Sequence, residues 1–339
     1  MTPIRIAILG SGLFVRDAHL PALHTLPDAF EPVAIYSRNA ETAQALAASL
    51  PGKVEVYTDL AALLARTDIE AVDVVLPIND QPSAVTAALQ AGKHVISEKP
   101  VAPDVRTGRQ LLHTASELTA HSGKIWSVAE NWRYEPAYHA AAEAISQGVI
   151  GQPLQLNWAT SSAVTPQNKY YHTAWRRDNT FPGGFLLDGG VHNIAVMRVV
   201  LGEIESVSAF VTQVRPDLPP ADTLSATFRF DSGAFGTWTV SFAAGLPWET
   251  PMQILGTSGA LRISNRQLEV FSGDPAQPHS QPFAINNVEA ELADFARVIH
   301  GAPLHNTPEQ ALQDVAVIEA MLESARTGCT VQPERIIGA

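Results

Sequence analysis

The chain has 339 residues, a formal net charge of −12, and 46% hydrophobic against 17% charged residues. That length fits two domains with sizeable cores. The acidic balance, with no run of basic residues, argues against nucleic acid or an anionic membrane as the main partner.

The start, "MTPIRIAILG", enters an apolar strand at once and shows no signal-peptide pattern. Strand and helix patterns then alternate. The strands are "IRIAIL", "FEPVAIYS", "VEVYT", "AVDVVLP", "HVIS" and "KIWSVAE". The helices between them are "HLPALHTL", "AETAQALAASL", "LAALLA", "PSAVTAALQAG" and "VRTGRQLLHTASELTA". Continuous Val/Ile/Leu strands separated by helices predict a parallel sheet covered on both faces. Right-handed crossovers then lead to an α/β, doubly wound Rossmann-type domain over residues 1–128.

From residue 129 onward the pattern changes. One more helix, "PAYHAAAEAISQGVIG", precedes a strand series running from Gln152 to about Val270. Its segments are "PLQLNWAT", "SVSAFVTQV", "TLSATFRF", "GAFGTWTVSF", "PMQILGT" and "GALRIS". A helix from about Asp188 to Leu201 interrupts them, and "RPDLPPAD" and "GDPAQPHSQP" read as surface loops. The alternation predicts a mostly antiparallel sheet with one covered face, so residues 129–339 form an α+β domain. Two helices close the chain; Thr307 and Pro308 mark the start of the second as N-cap and first helical residue. The single cysteine, Cys329, excludes an internal disulfide framework and fits a reducing compartment. No window reads as a membrane span of about 18 apolar residues, so the expected location is the cytoplasm.

Four places carry chemistry. Gly10-Ser11-Gly12, with Leu13 and Phe14 behind it, follows the first strand, where glycines let backbone N–H groups approach a pyrophosphate. The third glycine of the fingerprint is replaced by Val15. The second strand ends "AIYSRN", without the acid that binds a ribose 2′-hydroxyl; Ser37 and Arg38 suit a 2′-phosphate, which favours NADP(H) over NAD(H). At the carboxyl ends of the fourth and fifth strands, Pro77, Ile78, Asn79 and Gln81, then Glu98, Lys99 and Pro100, fall where a dinucleotide crevice opens. A lysine there can hydrogen-bond a reacting oxygen and stabilise alkoxide charge. Finally, Asp188 and His192 lie four apart behind Gly183-Gly184, and a shared helix would turn both side chains the same way. No third ligand lies nearby, so no metal is expected.

Together, Gly10-Ser11-Gly12, Glu98-Lys99-Pro100 and Gly183-Gly184 before Asp188 and His192 resemble the glucose-fructose oxidoreductase / inositol 2-dehydrogenase / MocA family. "HLPAL", "AENWRYEPAY" and "AWRRD" extend the resemblance over nearly the whole chain. It implies a Rossmann domain followed by a domain with a large open sheet that mediates dimer contacts. It implies NAD(P)-dependent hydride transfer at a carbinol or carbonyl of a sugar, polyol or related small molecule. Under it Lys99 polarises the reacting oxygen, His192 is the general acid/base, and Asp188 positions the substrate or His192. Asn131, Arg133, Tyr134, Trp175 and Arg176 match segments that line the substrate and nicotinamide pocket. The chain departs from the usual pattern in four places, the first being Val15 at the third glycine. The Gly12–His19 spacing is one residue longer, Gln81 stands in place of a histidine, and Ala195 in place of an acid. Two other functions exist for this fold: a non-catalytic NADP-binding regulator, against which all three catalytic-type residues count, and a redox-assisted glycosidase.

Overall fold

The computed structural model describes residues 2–177, 179–273 and 277–337. The chain divides into two compact units: residues 1–131 with 287–312, and residues 132–286 with 313–339.

In unit 1, β1 (Ile4–Leu9), β2 (Phe30–Tyr36), β3 (Glu55–Tyr57), β4 (Ala71–Val74), β5 (His94–Glu98) and β6 (Trp126–Ala129) form one parallel sheet in the order β3-β2-β1-β4-β5-β6. The helices between are α1 (Leu20–Thr25), α2 (Ala40–Ala47), α3 (Leu60–Leu64), α4 (Gln81–Gln90) and α5 (Val105–Ser122). This is the doubly wound arrangement, with the strand order reversing between β1 and β4. The helix ends follow local chemistry. Asn39, Asp59 and Asp104 cap α2, α3 and α5 through their side chains, and Gly123, at φ 65°, stops α5.

The first helix differs from expectation. Residues Val15–His19 form a π-turn, and α1 proper begins at Leu20. A π-turn takes one residue more than an α-turn spans. It fits one residue more into the turn and buries Val15 and His19 completely.

In unit 2, α6 (Pro136–Ser146) leads to β7 (Pro153–Ser161) and then α7 (Gly184–Leu201). The strands β8 (Ile204–Thr212), β9 (Thr223–Phe230), β10 (Phe235–Ser241), β11 (Trp248–Glu249), β12 (Met252–Gly256), β13 (Gly259–Ser264), β14 (Gln267–Ser272) and β15 (His279–Pro282) follow. The sheet runs β15-β14-β13-β12-β7-β10-β9-β8, with β11 on β7; only the β7–β10 pair is parallel. The expected antiparallel sheet is present, and longer. β14 extends it, and β15 lies within "GDPAQPHSQP", where a loop was expected; residues 274–276 of that stretch lie outside the described residues. β9 shows the one-sided pattern cleanly: Leu224, Ala226, Phe228 and Phe230 are buried, while Ser225, Thr227 and Arg229 face outward.

The last helices divide differently from a boundary at 128. After β15 the chain returns to unit 1, where α8 (Asn287–Ile299) buries Leu292, Phe295 and Ala296 against Ile4, Ile6 and Phe30. Phe295 stacks on Phe30 with centroids 6.3 Å apart. α9 (Pro308–Thr327) begins as expected, with the Thr307 hydroxyl accepting from Gln310 N at 3.2 Å. α7 is the one helix among the described residues long and apolar enough to cross a membrane, contrary to the sequence expectation. It is the core helix of unit 2, 83% buried, and Asp188, His192 and Arg198 interrupt its apolar run.

Candidate active site

The nucleotide side is built at the carboxyl edge of the parallel sheet. β1 ends at Leu9, and Gly10 takes φ 130°. A Cβ there would stand 2.2 Å from the Val75 carbonyl oxygen, so the turn hugs the end of β4 and only glycine fits. Gly12 is different. A Cβ on it meets nothing within 4 Å, and its φ is not positive. Among the described residues nothing requires glycine at that place; a phosphate seated against its backbone would. The first turn therefore fits a dinucleotide pyrophosphate. Leu13 and Phe14 follow, and the Phe14 ring meets His19 edge-on at 5.3 Å.

At the end of β2, Ser11 Oγ donates to Ser37 Oγ at 2.7 Å, and Ser37 Oγ accepts from Asn39 N at 3.1 Å. Arg38 is 74% exposed and reaches Asp80 at 3.1 Å. An exposed pair of this kind contributes only about 0–1 kcal/mol, so the guanidinium is easily redirected. Pro77 and Asn79 lie in the turn before α4, and Asp80 N and Gln81 N both donate to the Pro77 carbonyl. Gln81 is 2% exposed; its amide donates to the Pro100 carbonyl at 3.4 Å, tying this turn to the loop after β5.

That loop holds Lys99. Its backbone N–H donates to Glu98 Oε2 at 3.2 Å, and the Lys99–Pro100 peptide is cis. Lys99 is half-buried and Glu98 buried. Beneath them lies a cluster that sequence reasoning missed. The buried imidazole of His19 bonds Glu98 Oε1 through Nε2 at 2.9 Å and Asp73 Oδ2 through Nδ1 at 2.8 Å. An acid inside the apolar run "AVDVV" was the available signal, because a buried charge requires a partner.

Asp188 and His192 lie in unit 2. α7 begins at Gly184, not at Asp188, because Gly183 and Gly184 take φ of 85° and 48° and lead straight into the helix. A Cβ on Gly184 would stand 2.4 Å from the Pro219 carbonyl oxygen. Asp188 and His192 thus occupy adjacent turns of one face, as the spacing predicted. Asp188 accepts from Arg176 Nε at 2.7 Å, and the Arg176 guanidinium lies 4.1 Å from the Trp175 ring centroid and 5.0 Å from that of Tyr170. The cation is held by a carboxylate on one side and aromatic faces on others. Trp132 stacks on His192, centroids 5.0 Å apart and planes 16° apart. Trp132 was not singled out in the sequence, although it sits between Asn131 and Arg133. Its stacking fixes the imidazole plane.

Asn131 and Tyr134 flank Trp132 in a short 3-10 turn. Arg133, expected at the substrate, directs Nη2 to both oxygens of Asp314 at 2.9 and 2.7 Å. Asp314 also receives Arg198, which pairs with Glu203. Both Arg198 and Asp314 have side chains 1% exposed, so this is a structural network joining α7 to α9.

The family comparison follows this geometry. Residues 4–123 match the oxidoreductase family model with an NAD-binding Rossmann fold, and residues 138–262 match the GFO/IDH/MocA C-terminal domain. The chain belongs to the Gfo/Idh/MocA family of oxidoreductases. A dehydrogenase of Fusarium mangiferae, FPY6, is 33% identical over 95% of this chain and 96% of its own length. D-apiose dehydrogenase of Paraburkholderia graminis is 26% identical over 96% and 88%. The crystal structure of an oxidoreductase from Thermotoga maritima superposes with a TM-score of 0.90 at 36% identity, covering 99% of this chain and 100% of that one. As a Gfo/Idh/MocA enzyme, the protein joins an NAD(P)-binding Rossmann fold to the family's C-terminal domain.

Proposed function

We propose that this protein is an NADP(H)-dependent oxidoreductase that moves hydride between the nicotinamide and a carbinol or carbonyl carbon of a sugar, polyol or similar small molecule. The observation that carries the reading is His192 itself, an imidazole presented from α7 with its plane fixed by Trp132 and with Asp188–Arg176 one helical turn away. When bound, the nicotinamide supplies the hydride donor or acceptor. Lys99 holds the reacting oxygen and stabilises negative charge there as the carbon changes oxidation state. His192 takes the hydroxyl proton in oxidation and returns it in reduction. Asp188, held by Arg176, offers an acceptor for a neighbouring substrate hydroxyl. A hydroxyl-rich substrate suits that set of donors and acceptors, and the kinship to D-apiose dehydrogenase supports the same class.

The preference for NADP(H) rests on Ser37 and Arg38 at the end of β2, where no carboxylate stands. The dimer is assigned to the outer face of the unit 2 sheet, whose Ser/Thr-rich strands β9 and β10 carry Phe235 at 57% exposure, with Phe210 on β8 at 85%.

The test is a panel of aldoses, inositols, anhydro-sugars and small aldehydes, read at the reduced-nicotinamide absorbance with each cofactor. Removing a group that stabilises charge in the transition state typically lowers kcat by about 10²–10³-fold. Lys99→Met and His192→Asn are each expected to fall in that range with the cofactor Kd unchanged. Turnover that survives Lys99→Met would refute the assignment.

A further inference from the structure

Behind Lys99, unit 1 buries more ionisable groups than a Rossmann core needs. His19 comes from the π-turn, Asp73 from β4, Glu98 from the end of β5, Glu130 from after β6 and Glu291 from α8; all are at most 7% exposed. His19 spans Asp73 and Glu98 with both ring nitrogens. Glu98 uses one oxygen for His19 and the other for the Lys99 amide. Glu291 brings a carboxylate oxygen to within 4.8 Å of both the His19 and Glu98 polar atoms. Among the described residues, neither Glu291 oxygen has a hydrogen-bond partner.

We propose that His19 and Glu291 are positioning residues for Lys99. His19, as an imidazolium clamped by two carboxyl groups, and Glu291, as a neutral carboxylic acid, keep Glu98 folded back onto the Lys99 amide. The physical reasons are separate for each group. An imidazole whose two nitrogens both face carboxylates can satisfy both only by carrying two protons. Burial opposes that charge, but Asp73 and then Glu98 outweigh it, and the His19 pKa lies well above the ordinary imidazole range. Glu291 has no cation to itself. Burial first, and the Glu98 charge second, push its carboxyl well above the usual carboxylate range, so it keeps its proton and can donate it. Ionising Glu291 would set a second buried carboxylate against Glu98 and compete for His19. The same three groups could in principle chelate a divalent cation. The imidazolium reading accounts for both short His19 contacts without one.

The inference rests on Lys99 acting at the reacting oxygen, so the experiment has two arms. The first needs no turnover. Nitrogen-15 NMR of the full-length protein follows the His19 ring, identified by its loss in His19→Gln. Both ring nitrogens are expected to stay protonated well above neutral pH, and to return to ordinary titration in Glu98→Gln. Infrared spectroscopy is expected to show a protonated-carboxyl band that Glu291→Gln removes. The second arm is kinetic. Without the imidazolium, Glu98 loses the partner that holds it against the Lys99 amide, and the charges behind Lys99 change. His19→Gln is therefore expected to lower kcat/KM and move the alkaline limb of its pH profile down by about one unit or more. Glu291→Ala lowers kcat/KM, and Glu291→Gln, which copies the neutral acid, restores it. A neutral His19 in the wild-type protein overturns the proposal. So does a loss of rate in His19→Gln with the limb unmoved, which is the mark of a purely structural role. A stoichiometric divalent metal in the purified protein that vanishes in Glu291→Gln also overturns it, in favour of coordination. If Lys99→Met stays active, the kinetic arm loses its basis, whereas the NMR result still decides the state of the cluster.

Discussion

Gly12→Ala separates cofactor binding from folding. The alanine Cβ would meet no protein atom within 4 Å, and the residue needs no positive φ. Replacing glycine at such a place stabilises a fold by about 0.4–1 kcal/mol, by restricting the unfolded chain. The apo variant is therefore expected to melt no lower than wild type. A methyl group on the surface where the pyrophosphate would lie is overpacking, which typically costs about 1–3 kcal/mol. At about 1.4 kcal/mol per tenfold, the Kd for NADPH should rise roughly 5- to 150-fold. Gly10→Ala is the contrast: its Cβ would stand 2.2 Å from Val75 O at φ 130°, so this variant should lose stability outright. Calorimetric titration with NADPH, alongside melting of the apo protein, measures both quantities. An unchanged Kd in a stable Gly12→Ala protein would refute the placement of the phosphates.

Arg38→Ala should weaken kcat/KM for NADP+ by roughly 10- to 100-fold, the value of a charge-assisted hydrogen bond of about 1.5–3 kcal/mol, while leaving NAD+ nearly unaffected; equal losses with both cofactors would remove the 2′-phosphate assignment. Asp314→Ala strands the buried Arg198, and breaking a buried pair destabilises by about 3–5 kcal/mol; because Glu203 still holds Arg198, the lower end is expected in urea unfolding, and a loss under about 1 kcal/mol would contradict the network. The pH dependence of stability follows from Glu291 and His19. Both have raised pKa values in the fold, so each contributes stability that is fully present below its unfolded pKa, 4.5 and 6.5, and is lost as pH rises through its folded value. The wild-type melting temperature should therefore decline toward alkaline pH more steeply than that of Glu291→Gln, and parallel curves would show that Glu291 is ionised in the native state.

Unit 1 was legible because its strands announce themselves. "IAIL", "VAI" and "AVDV" are buried on both faces, and Gly, Pro, Asn and Asp punctuate the helices. The extra residue before His19 was visible as spacing, but only the fold shows the π-turn there. α7 began four residues earlier than read, because Gly183-Gly184 looked like a loop when their positive φ serves to start the helix beneath Pro219. β15, "HSQP", is an exposed edge strand without an apolar residue, and carries no periodic signal. The return of α8 to unit 1 was illegible for another reason. Its apolar stripe says that the helix is covered, but not by which core.

The candidate site divides along the same line. Lys99, Asp188 and His192 could be named as candidates because their chemistry sits in local motifs, within a loop or on one helical turn. What those residues lean on comes from far along the chain. Trp132 reaches His192 across 60 positions, and His19 and Glu291 stand beside Glu98 from 272 positions apart. A glutamate on an amphipathic helix reads as solvent-facing unless its neighbours in space are known, and for Glu291 those neighbours are His19 and Glu98. The supporting residues of a site are set by tertiary packing, so a local motif names the reactive group and leaves open what holds it. For Lys99 that support is the Glu98 carboxyl group, which accepts from the Lys99 amide and is itself held by His19, so the place of the lysine is decided by residues far from its own motif.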